Sequence, residues 1–484
     1  MKKPLVLLVL LPAILFPSVS AQSTRYTPET EAKIKAVENN LAGWVQTGND
    51  DRWNILDRMK KYGVNGVSIA VIHDHQIVWA KGYGMADMSE KRPVTEKTLF
   101  QAASISKSLN SLGVLKLVES GKISCDSDIN KYLKSWKFPY DDKSKGKVIT
   151  VKELLSHTAG LTVHGFPGYE RGKKIPTVIQ VLNGEKPANT APVRSFEEPG
   201  KNVVYSGGGT TILQLMVTDQ TGMPYNVYMQ KEVLDPLGMT SSCFCQPPDS
   251  IKPELLATGY KADGKEVPGK YHIYPEMAAA GLWTNPTDLC KYVIETELAW
   301  EGLSHKVLSP EMTRIRLTPV ADNAALGVFV NPRVTGSYKY FYHNGGNEGF
   351  LSTYYGCLDS GDGVAVMINS EDWTIIDEIV NSVAIVYGWK DFYLPEIKRP
   401  FSIADTLMKK YTGRYEMQGR KYEIVPMGKG LGIKSWNNIP WKLYFTTDSD
   451  FFVKESRGMA TFVTNRDGKV TGFFINGQEV KKVK

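Results

Sequence analysis

The sequence is poor in cysteine and histidine, and it carries no strong excess of either charge. Five Cys are spread over 484 residues. Their number is odd and their spacing irregular, so they form no disulfide framework, and a chain of this length does not need one. Cys243 and Cys245 are separated by one residue, too few for an easy bridge, so buried or incidental thiols are expected throughout. The seven His include no His-Glu-x-x-His pattern. His73-Asp74-His75 is half of a metal-binding run without its partners, so no metal site and no cofactor is expected. Lys plus Arg exceed Asp plus Glu by 58 − 51 = +7. That excess is mild and scattered, which argues against a nucleic-acid partner. Internal repeats and low-complexity tracts are missing too.

Long apolar runs are absent after the first residues. Lys2 and Lys3 precede the apolar stretch Pro4 to Phe16, which is too short to span a bilayer comfortably. Val19-Ser20-Ala21 then supplies small residues for cleavage after Ala21. This reads as a secretory signal over residues 1–21, and it predicts an exported protein, periplasmic or secreted, with no transmembrane segment after removal.

What is present is a chain long enough for two or three domains. Residues 28–61 look helical and polar. Val67 to Ile72 and Gln76 to Tyr83 alternate around His73-Asp74-His75 as a β-hairpin. From Ser104 to Val118 apolar residues recur at helical spacing, and Gly121 ends the helix. Strands return at Leu326 to Val330, Ser352 to Cys357 and Val364 to Ile368, followed by a helix carrying Ile375, Ile376, Ile379, Val380 and Val383. The fold class is therefore α/β (α+β), an antiparallel sheet made from both ends of residues 22–394, flanked by helices and holding a helical insert. Pro395 and Pro400 mark a linker over 395–410. Residues 411–484 then alternate in short runs with Gly and Asn turns: 422–425, 431–436, 441–445, 451–454, 460–464 and 470–475. They predict a small all-β domain, barrel or sandwich.

Ser-x-x-Lys occurs twice. Ser144-Lys145-Gly146-Lys147 lies in a charged stretch and reads as solvated surface. Ser104-Ile105-Ser106-Lys107 opens an apolar helix. Residues three apart share a helical face, about 5–6 Å between Cβ atoms, so the Lys107 amine can reach the Ser104 hydroxyl. A helix start also offers unpaired N–H groups that stabilise an oxyanion.

Further segments fall in order around this one. They are Ile149 to Leu161 (Ile-Thr-Val-Lys-Glu-Leu-Leu-Ser-His-Thr-Ala-Gly-Leu), Pro199-Gly200, Tyr205-Ser206-Gly207, Pro236-Leu237-Gly238-Met239, Gly281-Leu282-Trp283 and His343-Asn344-Gly345-Gly346. Together, from about Gly63 to Asn369, the chain resembles the serine β-lactamase-like and penicillin-binding protein family. That family includes class C β-lactamases, DD-peptidases, D-aminopeptidases and family VIII carboxylesterases. The resemblance implies a β-lactamase/transpeptidase-like fold and an acyl-enzyme on Ser104, with Lys107 and Tyr205 as general base and acid. It implies an oxyanion hole from the backbone N–H groups of Ser104 and Gly346, and substrate contacts at His343, Asn344, Gly345 and Gly207. His157 is expected to be structural, and His164 to border the cleft.

Two departures stand out. The second motif of the family ends in Asn, and here it ends in Gly207. The third carries His343 where strong β-lactamases have Lys, and a neutral imidazole holds a carboxylate less firmly than an ammonium. Both argue for an ester or amide hydrolase, or a peptidase for D-residues, over an efficient β-lactamase. An acyltransferase that passes the acyl group to an alcohol or amine is one alternative. A penicillin-binding protein, as DD-peptidase, weak β-lactamase or stalled sensor, is the other. The partner is a small-molecule ester, amide or peptide, and a homo-oligomer is compatible with this reading.

Overall fold

The computed structural model describes residues 26–48, 51–331, 338–435, 439–475 and 477–483. The segment read as a secretory signal, and Trp436, lie outside them. Helix α1 (Pro28–Glu38) is capped by Thr27, whose hydroxyl accepts from the Thr30 N–H at 3.2 Å. Helix α2 (Ile55–Tyr62) ends on Gly63 in the left-handed conformation. The predicted helical stretch is thus two helices. Between them Val45–Gln46 pairs in parallel with Glu396–Ile397, a contact with no local sequence signal.

Next come β1 (Gly66–His73) and β2 (Gln76–Asp87), joined by Asp74 and His75 with φ of +51° and +57°. Two consecutive left-handed residues suit the twist of a tight hairpin. Strand β3 (Arg92–Pro93) lies at the edge. Helix α3 (Ser106–Glu119) crosses the core, α4 (Gly207–Thr221) packs on it, and α5 (Met277–Ala280) and α6 (Pro286–Glu301) complete this side. The chain returns to the sheet through β4 (Phe329–Val330), β5 (Tyr340–Asn347), β6 (Phe350–Cys357) and β7 (Gly363–Ile368), then α7 (Trp373–Tyr387). The sheet order is β3-β2-β1-β7-β6-β5-β4. Strand β1 from the start of the chain pairs antiparallel with β7 from much later, Val67 opposite Ile368. One face packs on α3 and the helical insert. The other packs on α1, α2 and α7, with Ile375, Ile376, Ile379, Val380 and Val383 buried there. The expected strand from Leu326 shortens to two residues because Gly327, at φ +78°, turns its N–H to the Leu155 carbonyl instead.

Residues 395–410, expected as a linker, carry the strand Glu396–Ile397 and most of helix α8 (Asp405–Tyr411). A nearly closed barrel follows: β8 (Gly413–Met417), β9 (Arg420–Met427), β10 (Gly430–Lys434), β11 (Trp441–Lys442), β12 (Tyr444–Phe445), β13 (Asp450–Phe452), β14 (Ala460–Thr464), β15 (Val470–Ile475) and β16 (Gln478–Val483). Its order is β11-β10-β9-β8-β16-β15-β14-β13-β12. The two edge strands are separated in sequence by Leu443 alone. The loop after β13 docks on the N-terminal region. Lys454 pairs with Asp51, Glu455 with Lys61 at 2.7 Å, and the Lys454 carbonyl accepts from Val45 at 3.2 Å. Gly43 permits this approach, since a Cβ there would stand 2.3 Å from the Lys454 carbonyl oxygen.

Two sequence expectations are corrected. Cys243 and Cys245 form a disulfide, with Cα atoms 5.3 Å apart, inside the usual range of about 4.4–6.8 Å. Phe244 is buried in the core, and residues two apart in extended chain point to the same side, so the two sulfurs meet. The remaining thiols, Cys125, Cys290 and Cys357, are free. Ser144 is not solvated: it is buried, and its hydroxyl bonds that of Ser195 at 2.8 Å. Among the described residues, no helix is long and apolar enough to cross a membrane.

Candidate active site

The segment that bears Ser104 begins on a strained residue. Ala103 has φ +50°, the left-handed region that β-carbon residues rarely enter. The 3-10 turn Ala103–Ile105 then leads into α3. Ser104 is half-buried, while Ala103, Ile105, Ser106 and Lys107 around it are buried. The strain is held by packing from the sheet. The Ser352 hydroxyl donates to the Ala102 carbonyl at 2.9 Å. Gly345 lies so close that a Cβ would stand 2.1 Å from the same oxygen. Asn347 donates to Gln101 at 2.8 Å and to the Ala280 carbonyl at 3.1 Å. Strand β5, helix α5 and the serine turn are therefore locked together.

Lys107 projects from the first turn of α3, and its Nζ donates to Ser104 Oγ at 3.0 Å and to the Ala279 carbonyl at 2.8 Å. Among the described residues no carboxylate pairs with it. It stands 5.0 Å from the centre of the Tyr205 ring. Tyr205 is half-buried and precedes α4, whose N-cap Ser206 accepts from the Gly209 N–H at 3.0 Å. His164 fixes the backbone here, its Nδ1 donating to the Tyr205 carbonyl at 2.6 Å. His157 takes the Ser206 N–H on Nδ1 at 3.3 Å, and its ring lies 4.3 Å from that of Tyr205. The sequence marked His157 as structural, and it proves to be a direct neighbour of Tyr205.

Strand β5 forms the opposite wall. His343 is buried, 6.4 Å from the Tyr205 ring centre and 5.4 Å from that of Phe329. Its Nδ1 lies 2.6 Å from the Asn344 carbonyl oxygen. A carbonyl only accepts, so Nδ1 carries the proton and Nε2 is the acceptor. Nε2 is buried without a partner. The turn Glu348-Gly349 makes Asn347 and Phe350 the closing pair of the β5–β6 hairpin. Hydrogen bonding then alternates, which turns the Gly346 N–H away from β6. Strand β4 covers β5 only at Phe341 and Tyr342, so that N–H is open to the cleft. The Ser104 N–H, at a helix start, has no intrahelical acceptor.

The remaining expected residues divide. Gly207 sits against Phe166, whose ring a Cβ would approach to 2.9 Å. An asparagine could not enter without displacing that ring. Asn344 points to the other face of the sheet from His343, where its side chain accepts from Thr353 at 2.6 Å, so that side chain is not in the cleft. Gly345 is covered by the serine turn and acts by its smallness. Beside Gly346 lies a cavity of about 310 Å³ lined by Phe166, Tyr274, Leu351 and Trp373, with the carboxylates Glu348 and Glu371. None of these lining residues was legible in the sequence.

The family comparison agrees with this geometry. The Beta-lactamase family model matches residues 53–379, about two thirds of the chain and every residue of the cleft. This chain belongs to the Beta-lactamase family. Membership brings serine acyl-transfer chemistry of the hydrolase type. The chain is similar to penicillin-binding protein 4* of Bacillus subtilis strain 168, 22% identical over 457 residues that cover 88% of this chain and 96% of that protein. Its fold resembles the octameric penicillin-binding protein homologue from Pyrococcus abyssi, with TM-score 0.60, 23% identity, and coverage of 88% and 98% of the two chains. It also resembles D-amino acid amidase from Ochrobactrum anthropi SV3, with TM-score 0.57, 21% identity, and coverage of 73% and 99%.

Burial pushes the His343 imidazole down to about 3, and the Lys107 charge adds to the effect. His157 is pushed well down by burial first, then by Lys107 and His343. Both rings are neutral in the folded β-lactamase-like domain. Unfolded, each binds its proton near the ordinary value of about 6.5. Between about pH 6.5 and 3 the unfolded chain therefore holds more protons, so stability rises with pH there and is lost on acidification. His343 alone contributes a slope of up to about 1.4 kcal/mol per pH unit. Urea unfolding across that window will show the slope, and His343→Gln will flatten it. An unchanged slope in the variant would assign the acid sensitivity to other groups.

Proposed function

We propose that this is an exported serine hydrolase that cleaves an ester or small amide through an acyl-enzyme on Ser104. The observation that carries the reading is the Lys107 Nζ at 3.0 Å from Ser104 Oγ, with the Tyr205 ring 5.0 Å from that amine and an open N–H at Gly346 opposite. Lys107 accepts the hydroxyl proton as Ser104 attacks the carbonyl carbon. The Ser104 and Gly346 N–H groups hold the oxyanion. Tyr205 delivers a proton to the leaving oxygen or nitrogen, and the alcohol or amine departs. Water then attacks the acyl-serine by the reverse proton route and releases the acid. His343, neutral with Nε2 as acceptor, lies across from Tyr205 with its ring 6.4 Å away and gives no positive charge for a substrate carboxylate. Export rests on the N-terminal residues, and N-terminal sequencing of the mature protein tests it.

Two features support an ester over a β-lactam. Phe166 fills the space next to Gly207, so no side-chain amide is offered to an acylamino group. Phe166, Leu351 and Trp373 give the cavity beside Gly346 an apolar wall suited to an uncharged acyl group. Short-chain esters should therefore be hydrolysed at least about tenfold more efficiently than cephalosporins in kcat/KM, about 1.4 kcal/mol of transition-state discrimination. Measuring both substrates on one preparation checks this, and faster cephalosporin turnover would reject it.

One observation favours a second reading. Glu371 is fixed in the cavity wall by the N–H groups of Ala262 at 2.9 Å and Gly349 at 3.0 Å. A carboxylate held there would attract a substrate ammonium, as in the amide of an amino acid. Including D- and L-amino acid amides in the same screen separates the two readings.

A further inference from the structure

The C-terminal barrel contains a second cavity, remote in sequence from every residue of the cleft. One end of the barrel is solid. Tyr411 from α8 stacks on Phe462 at 3.8 Å, and Phe451 stacks on Phe462 at 4.7 Å. The other end encloses about 860 Å³, within the range of roughly 300–1,000 Å³ typical of small-molecule sites. Its walls are aromatic and aliphatic: Tyr422, Ile433, Trp441, Phe451, Phe473 and Ile475. They come from strands on both sides of the barrel, so the space is its interior and not a surface groove.

The mouth has a charge of one sign. Arg420 lies at the β8–β9 turn and Arg457 on the loop after β13, while Lys421 stands opposite Glu416 on the outer face of the barrel. Among the described residues no Asp or Glu lines the cavity. Among the described residues neither arginine has a carboxylate partner. Arg457 donates to the Leu394 carbonyl at 2.9 Å and stands 4.4 Å over the Trp44 ring, which positions it without neutralising it. The Trp441 indole N–H, in the wall, is buried without a hydrogen-bond partner. An apolar interior under an unpaired cationic rim is complementary to a chain with an anionic head. A glycan would need many acceptors and donors inside, and the interior supplies few.

We propose that the barrel binds a single-chain amphiphile with a carboxylate head, of the fatty-acid class. The alkyl chain lies among the aromatic residues, and the head meets Arg420 and Arg457. The site is separate from Ser104 and does not depend on what Ser104 hydrolyses.

The test uses the full chain with Ser104 first blocked by a fluorophosphonate, so that the catalytic cleft is occupied. Calorimetric titrations compare dodecanoate, dodecanol and dodecyltrimethylammonium below their micellar concentrations. The expected result is saturable binding of one dodecanoate per chain, weaker binding of dodecanol and weakest binding of the cation. The variant Arg420→Glu, at an exposed site, should keep its fold by circular dichroism and bind dodecanoate about tenfold more weakly, a change of about 1.4 kcal/mol. Dodecanol binding should barely change in it. Absence of saturable dodecanoate binding would overturn the proposal. So would dodecanoate affinity that ignores the charge reversal, or dodecanol binding as tightly as dodecanoate.

Discussion

Ser104→Ala will fold as the native protein does and lose turnover of every substrate the native protein accepts, by at least about a thousandfold in kcat, the scale seen when a catalytic nucleophile is removed. The structural cost is small because Ser104 is half-buried and its hydroxyl serves chiefly as acceptor for Lys107. Without it, Lys107 keeps the Ala279 carbonyl at 2.8 Å, so the lost hydrogen bond costs about 0.5–1.5 kcal/mol. The strained Ala103 turn does not rest on the serine either, since Ser352 and Gly345 hold it from the sheet. The catalytic cost is large because no other hydroxyl has the same setting. Ser106 is buried and donates to the Ala103 carbonyl at 2.6 Å. Ser206 is committed to the Thr162 carbonyl at 2.8 Å. Fluorophosphonate labelling followed by peptide mass analysis checks the assignment. One adduct is expected, on Ser104, and none in the alanine variant. A native level of turnover in Ser104→Ala, or an adduct on Ser144 or Ser206, would remove Ser104 from the mechanism.

The sequence carried the reacting groups and missed what holds them. Ser104 and Lys107 are one helical turn apart, so their meeting is local and legible in a tetrapeptide. Tyr205, His343 and Gly346 came from ordered motifs that the resemblance supplied. The contacts that lock the serine turn, Asn347 to Gln101 and Ser352 to Ala102, link residues some 250 positions apart, and nothing in either neighbourhood announces them. Phe166 filling the space beside Gly207 is of the same kind. The missing asparagine was visible, but the ring that replaces it was not. In the barrel, six runs were legible from alternation, and the run 441–445 proves to hold both edge strands, β11 and β12. Strand β16 was not, because Val480 is a lone buried position between Glu479 and Lys481. Strand β8 was missed similarly, since Tyr415 is its fully buried residue amid exposed and half-buried neighbours. The disulfide was missed for a geometric reason: a two-residue separation forbids a bridge across a sheet but permits one along a bent segment whose middle residue, Phe244, is anchored in the core.

Lys107→Ala and Tyr205→Phe should each lower kcat/KM by about two to four orders of magnitude, the usual worth of a positioned proton carrier. The double variant should be scarcely worse than either single one. The argument is geometric. Lys107 contacts the nucleophile at 3.0 Å and stands over Tyr205 at 5.0 Å. His157 and His343, the other titratable neighbours, are neutral, so Lys107 is the one cation beside the Tyr205 ring among the described residues. A phenol can give up and regain a proton near neutrality only if a cation steadies its anion. Removing Lys107 therefore disables Tyr205 as well as the base. Removing the phenol leaves Lys107 with a proton and no route to the leaving group. Two residues acting as one relay give non-additive losses, whereas independent residues give losses that multiply. The cycle is measured on one ester and on one anilide of the same acyl group. The anilide should suffer more from Tyr205→Phe, because an amine leaves only when protonated and a good alkoxide leaving group needs less help. Losses that multiply in the double variant, with equal effects on ester and anilide, would mean that Tyr205 shapes the cleft and carries no proton.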